Sequence, residues 1–250
     1  MNSPDQLFGF KQEIDAWSDV FLFDILSAPL ARFLGKIDLD PFIITFLSLA
    51  TGVSSALTML LGLPHLAALL YFLSVLLDSL DGKLARLSGR ESMVRRLVDQ
   101  ISDQVVFALL IISIIFKRSE HGMLFSVIII LILLYEVSLV LRLDMAPLLR
   151  EDSMSKRIEG YSALLDHKGF IGRLLRIHDG LLNITTRFRT WPYPKLADLH
   201  VLLIIYLLIP NPVLPYLMIL SICPDLIISL FLAVAVARRR DHERAQRARV

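Results

Sequence analysis

The chemistry of this chain starts with four aspartates. Asp78 and Asp81 are three residues apart, and Asp99 and Asp103 are four apart. Each spacing places two carboxylates on one face of a helix. All four lie at the ends of long apolar stretches, where a charge is costly and marks a functional site by default. Carboxylates facing one another across a helix pair repel unless cations sit among them. Oxygen ligands with no His or Cys nearby suit a hard divalent ion, Mg²⁺ or Mn²⁺. Four carboxylates are enough for two such ions, and paired ions recur where a phosphoryl centre is attacked and an oxygen leaves. The plainer alternative is a set of solvated aspartates, each paired with Lys83, Arg86, Arg90 or Arg96. Beside the aspartates, Gly82 and Ala85 are small enough to let a ligand or a second helix approach the backbone. Arg86 suits a phosphate oxygen, or equally a helix anchor on the cytoplasmic side.

The elements that position these residues follow from composition. Of 250 residues, 55% are hydrophobic and 20% charged, against about 45–50% and 25% in soluble domains. The apolar excess falls in blocks near the length that crosses a hydrocarbon core of roughly 30 Å. That disfavours a soluble enzyme, a disordered chain and a repeat solenoid. The one cysteine, Cys223, rules out an intramolecular disulfide and reads as a small buried hydrophobe. Acidic residues interrupt the N-terminus, so no signal peptide is expected and the first span serves as its own insertion signal. No nucleic-acid partner is expected.

The expected architecture is an all-α integral membrane protein with six transmembrane helices and an N-terminal amphipathic surface helix. Residues 1–40 form a cytoplasmic segment in which Ile14, Trp17, Phe21 and Ile25 recur at helical spacing, as in a helix lying on a membrane. Residues 41–250 form the six-span domain, with spans near 42–63, 66–77 (continuing as a polar helix to 86), 97–116, 123–141, 196–209 and 214–237. A long cytoplasmic loop covers about 142–198. Spans two and three share a short cytoplasmic connection, so they are antiparallel neighbours and bring the four aspartates together. With both termini on one side, 24 of the 26 Lys and Arg residues fall on that side, which assigns it to the cytoplasm. The expected location is the cell membrane, as a multi-pass protein. Glu136 either lines a cavity or pairs with Arg142. Asp225 is a cavity residue or a neutral acid, and His200 is read as interfacial. The basic residues of the long loop suit anionic headgroups or a phosphorylated acceptor.

The string Asp78-x2-Asp81-Gly82-x2-Ala85-Arg86, followed by Asp99-x3-Asp103, resembles the signature D-x2-D-G-x2-A-R-x8-G-x3-D-x3-D of the CDP-alcohol phosphatidyltransferase family. The resemblance implies a membrane-embedded transferase. It displaces CMP from a CDP-alcohol, such as CDP-diacylglycerol, by an acceptor hydroxyl in phospholipid biosynthesis. It also implies two Mg²⁺ or Mn²⁺ ions held by Asp78, Asp81, Asp99 and Asp103, with Asp103 as the catalytic base. Gly82, Arg86 and Ser92 are implied in binding the CDP moiety. So is Thr45, because Pro41-Phe42-Ile43-Ile44-Thr45 is similar to the family's P-N-x-x-T. A homodimer in the bilayer is implied by the same resemblance. Two positions depart from the pattern: Arg95 replaces the second glycine, and Phe42 follows Pro41 in place of asparagine. Arg95 precedes Asp99 by one turn, so its guanidinium is expected to reach outward to the mouth of the site and bind a phosphate of the acceptor. The same departures motivate the alternative of a catalytically inactive relative acting as a scaffold or nucleotide-binding module. A small cation transporter is a third reading, disfavoured by the lack of inverted repeats.

Overall fold

Apolar runs in this chain become helices wherever the structure, a computed structural model, describes it. The described residues are 16–143, 177, 180, 181, 184, 185, 196–224, 226 and 227. A π-helical turn, Asp19–Phe23, leads into α1, Asp24–Lys36. Then come α2, Pro41–Leu60; α3, Pro64–Ser88; α4, Met93–Lys117; and α5, Gly122–Leu143. Beyond the long loop lie α6, Leu196–Leu208, and α7, Val213–Pro224.

Local chemistry sets the boundaries. Asp40 caps α2, its carboxylate accepting the Phe42 N–H at 3.0 Å, and Pro41 occupies the first turn, where a missing N–H costs nothing. Gly89 ends α3 at φ +64°, a left-handed conformation that glycine adopts without penalty. Ser92 caps α4, accepting the Arg95 N–H at 3.1 Å. The α3–α4 connection is thus short, and the two aspartate pairs sit on either side of it.

Among the described residues, three helices are long and apolar enough to cross a membrane: Pro41–Leu60, Pro64–Ser88 and Leu97–Lys117. The later apolar helices are shorter within the described range. Tyr71, Leu110, Ile114, Phe125, Leu199, Tyr206 and Met218 are all buried in one common core, so α3 to α7 pack around a single centre. The outer surface stays apolar, with Phe46, Leu61, Phe116 and Met123 exposed, as lipid-facing positions are.

Close approach of α2 and α3 fixes the site's frame. Ser48 Oγ donates to the Ser74 carbonyl at 2.9 Å, Ser74 Oγ donates to the Ser48 carbonyl at 2.8 Å, and Ser55 Oγ donates to the Ala67 carbonyl at 2.7 Å. A Cβ on Gly52 would lie 2.8 Å from Ser74 Oγ and 2.7 Å from Val106 Cγ2. Small residues that let backbones approach, joined by polar cross-helix bonds, are how helices associate without a hydrophobic drive between them.

The N-terminal helix is present, but the apolar stripe that marked it is not what docks it. Trp17, Phe21 and Ile25 face outward, Ile25 being 68% exposed. The buried face is Phe23, Asp24, Ser27, Ala28 and Ala31, packed on α3. Asp24 Oδ1 lies 3.0 Å from Lys83 Nζ, with both side chains 3% exposed. Lys83 Nζ also donates to Ser79 Oγ at 2.6 Å. The outward stripe remains suited to a membrane surface, while a buried ion pair clasps the other face to α3. Ile14 lies outside the described residues.

Candidate active site

The two aspartate pairs converge as their spacing requires. Asp78, Asp81 and Asp99 each bring a carboxylate oxygen into a group whose members lie within 4.8 Å of one another. Asp81 is fully buried, at 0% exposure. Thr45 of α2 donates a short hydrogen bond to Asp81 Oδ2. Asp81 Oδ1 and Asp99 Oδ1 are buried and have no hydrogen-bond partner among the described residues. Buried polar atoms are nearly always paired. Two orphaned carboxylate oxygens within one acidic group therefore fit a divalent cation held by oxygen ligands. Asp103, one turn beyond Asp99 on α4, joins Asp78 in lining a cavity of about 160 Å³.

A second and larger cavity, of about 400 Å³, has Asp99 in its wall. It is lined by Gly82, Ala85, Arg86, Glu91, Ser92, Arg95 and Asp99. Gly82 gives it room: the nearest atom to a Cβ built there would be Arg86 Nη1 at 3.7 Å. The structure thus brings Gly82, Arg86 and Ser92 to one basin. Thr45 is not in the lining of that basin and bonds to Asp81 instead. Ser92 also works as the α4 cap, so its side chain has a local structural partner.

Arg95 differs from the expected placement. Its side chain does not extend to the mouth but turns inward, leaving the residue 5% exposed. Arg95 Nη2 lies 3.5 Å from Asp81 Oδ2 and donates to Thr45 Oγ1 at 3.3 Å. The guanidinium carbon stands 5.3 Å from the centre of the Phe42 ring. The physical reason is complementary charge. A buried carboxylate attracts the nearest cation, and the exposed Phe42 ring offers a face for it. The two departures from the family pattern therefore touch each other: the phenyl ring replaces an amide where an arginine replaces a glycine.

Lys83, which the plainer alternative would pair with one of the four aspartates, pairs instead with Asp24, and Arg90 pairs with Asp38 at 2.9 Å on the surface. His200, read from sequence as interfacial, hydrogen-bonds through Nδ1 to the Tyr71 hydroxyl and packs edge-on to Phe107. Both Tyr71 and His200 line the smaller cavity with Asp78 and Asp103. A signal for Tyr71 was present, since Tyr71, Ser74 and Asp78 follow helical spacing along one face of α3. Nothing local marks His200. Asp225, the Glu136 side chain and the basic residues from Arg150 to Arg189 lie outside the described residues.

Comparison with known proteins bears on the same stretch. A family model described as CDP-alcohol phosphatidyltransferase matches residues 39–159, which contain α2 to α5 and all four aspartates. Over 64 residues the chain is 48% identical to a bifunctional IPC transferase and DIPP synthase of Thermococcus kodakarensis, covering 26% of this chain and 14% of that protein. Over 121 residues it is 31% identical to a CDP-diacylglycerol–serine O-phosphatidyltransferase of Mycobacterium leprae, covering 47% of this chain and 38% of that protein. The chain thus spans well under half the length of either relative.

Proposed function

We propose, from the match of residues 39–159 to the CDP-alcohol phosphatidyltransferase family model, that this chain transfers a phosphoalcohol group from a CDP-alcohol to an acceptor hydroxyl. CDP-diacylglycerol is the donor we favour, since a site at a bilayer edge suits a lipid-linked nucleotide, and one relative carries that donor in its name. The observation that carries the reading is the convergence of Asp78, Asp81 and Asp99, two of which have a buried oxygen with no hydrogen-bond partner among the described residues. Those three, with Asp103, are the residues that would hold Mg²⁺ or Mn²⁺, two ions being the number that four carboxylates accommodate. When bound, such ions neutralise charge on a pyrophosphate and polarise the phosphoryl centre.

The chain's own residues do the rest. Arg86 and Arg95 line the larger cavity and supply positive charge for the donor's phosphates. Gly82 keeps that basin open and Ser92 offers a hydroxyl at its rim. Thr45 fixes the orientation of Asp81. Asp103 accepts the acceptor's hydroxyl proton. The alkoxide oxygen forms a bond to the donor's β-phosphorus, the bond from that phosphorus to the bridging oxygen breaks, and CMP departs with the electron pair. We further read the whole chain as a six-span membrane protein with both termini cytoplasmic, working in phospholipid synthesis.

A second reading has one observation in its favour. Arg95 sits against Asp81 inside the acidic group, where it competes with a cation, so the chain would be an inactive relative that binds nucleotide or serves as a scaffold. The two are separated by CMP release from CDP-diacylglycerol by the purified chain with Mg²⁺ or Mn²⁺ and a panel of alcohols. Acceptor-dependent release supports the transferase. Nucleotide binding without release supports the inactive relative.

A further inference from the structure

Arg95 stands at a boundary. Its guanidinium reaches into the acidic group, yet the same residue lines the larger cavity with Gly82, Arg86 and Ser92. The inward contacts run through one nitrogen. Arg95 Nη2 lies 3.5 Å from Asp81 Oδ2, donates to Thr45 Oγ1 at 3.3 Å and donates to the Asp81 carbonyl at 3.4 Å. Thr45 donates in turn to the same Asp81 Oδ2. Arginine, threonine and one carboxylate oxygen thus close a triangle. Asp81 Oδ1 stays outside it, buried and with no hydrogen-bond partner among the described residues.

Two features make this arginine displaceable. The first is geometry. A charge-assisted N–H···O bond is typically about 2.7–2.9 Å, and an arginine pairs best with both oxygens of an anion. Here one nitrogen meets one oxygen at 3.5 Å. The second is charge. Asp78, Asp81, Asp99 and Asp103 carry four negative charges, and two divalent ions balance them in full. Arg95, only 5% exposed, is then a surplus cation in surroundings where like charges repel strongly. Without ions the guanidinium offsets part of the carboxylates' mutual repulsion; with them it is opposed. The larger cavity offers it a way out, since a phosphate there presents the bidentate partner that Asp81 does not. Until then the Phe42 ring, 5.3 Å from the guanidinium carbon, steadies the inward position.

We infer that Arg95 is an exchangeable counter-cation: it neutralises Asp81 in the unloaded site, opposes a divalent ion there, and moves to the donor's phosphate when the nucleotide enters. It is a positioning residue that couples ion binding to donor binding. Each ligand raises the site's affinity for the other through it, because such coupling is reciprocal. A glycine at this position carries no such coupling, so the departures at positions 95 and 42 share one role. The inference rests on the transferase reading for its donor and refines it.

The test is Mn²⁺ binding to the full chain in lipid nanodiscs, with and without CDP-diacylglycerol, free Mn²⁺ being followed by electron paramagnetic resonance. Arg95→Gln keeps an apolar stem and removes the charge. It should tighten Mn²⁺ binding about 5- to 150-fold, the usual span of a coupling between sites. Arg95→Gly should do the same, and Arg95→Lys should stay near the parent. Arg90→Gln, which removes a charge from the surface pair with Asp38, should leave the affinity unchanged. CDP-diacylglycerol should close most of the gap between the parent and Arg95→Gln, because the donor itself draws the guanidinium away. A merely structural role for Arg95 has the opposite sign: Mn²⁺ binding weakens in both neutral variants, and that result overturns the inference. So does a gap that CDP-diacylglycerol leaves unchanged, or equal tightening in Arg90→Gln. CMP release is read in parallel. Its absence with every acceptor contradicts the transferase reading, while the Mn²⁺ gap alone decides the role of Arg95.

Discussion

At the scale of single residues, the account separates three roles that the motif alone runs together. In the proposed transferase, Asp103 is the base. Replacing it by Asn should cut turnover by about 10²- to 10⁴-fold, the usual worth of a positioned general base, while Mn²⁺ binding, followed by electron paramagnetic resonance, persists. Near-normal turnover would remove the assignment. Asp81 is held by Thr45 and Arg95 on one oxygen, and its other oxygen has no hydrogen-bond partner among the described residues, so in the proposed function it presents that second oxygen to the metal. In the same reading Arg95 serves the donor, since it joins Arg86 at the larger cavity. Arg95→Gly should therefore raise the donor KM about 10- to 150-fold, the loss of one charge-assisted contact, and leave the acceptor KM unchanged. Steady-state kinetics with each substrate varied separately reads this, and a change confined to the acceptor KM would contradict it. The four aspartates were legible from spacing because spacing on a helix dictates which side chains share a face. The inward turn of Arg95 was not. A long cation one turn from a buried carboxylate can reach out or fold back, and only the neighbouring Phe42 ring and Thr45 hydroxyl decide which.

At the scale of elements, helix positions were largely legible and helix faces were not. The expected second span and its polar continuation are one helix, Pro64–Ser88, and the third span begins at a serine cap. Apolar run length, capping and a left-handed glycine are local signals, so they survive without knowledge of the fold. The docking face of α1 is a tertiary matter. Its apolar stripe faces away, and the small residues between, with Asp24, meet α3 because a partner lysine waits there. Breaking a buried ion pair on one side costs about 3–5 kcal/mol, whereas replacing both partners by apolar groups is often neutral. Lys83→Met should accordingly lower the unfolding midpoint in nanodiscs, and the double variant Asp24→Leu/Lys83→Met should regain most of the loss. A single variant as stable as the parent would show that the pair does not hold the helix. Gly52 is the corresponding test for α2. A methyl group there collides with Ser74 and Val106, so Gly52→Ala should separate α2 from α3 and α4 and reduce both stability and turnover.

At the scale of the whole molecule, the aspartates of one acidic group contribute to two unlike cavities, Asp99 to one and Asp78 to the other. One is arginine-lined and of about 400 Å³, the other carboxylate-lined and of about 160 Å³. In the proposed function the arginine-lined cavity suits the donor's phosphates. The division was not legible in the sequence, since it depends on Asp19 and His200 arriving from opposite ends of the chain. Orientation is open to labelling. A cysteine introduced at Ser119 should react with impermeant thiol reagents from outside intact cells, and one at Ser153 only after the cytoplasmic face is opened. Reaction at Ser153→Cys in intact cells would invert the proposed topology. The most direct measurement of the central claim is divalent-ion-dependent CMP release from CDP-diacylglycerol, comparing the parent chain with Asp99→Asn. The account predicts release that needs both an alcohol and Mg²⁺ or Mn²⁺, is abolished by a chelator, and falls at least about a hundredfold in Asp99→Asn. Release that survives chelation, or is as fast in Asp99→Asn as in the parent, would contradict it.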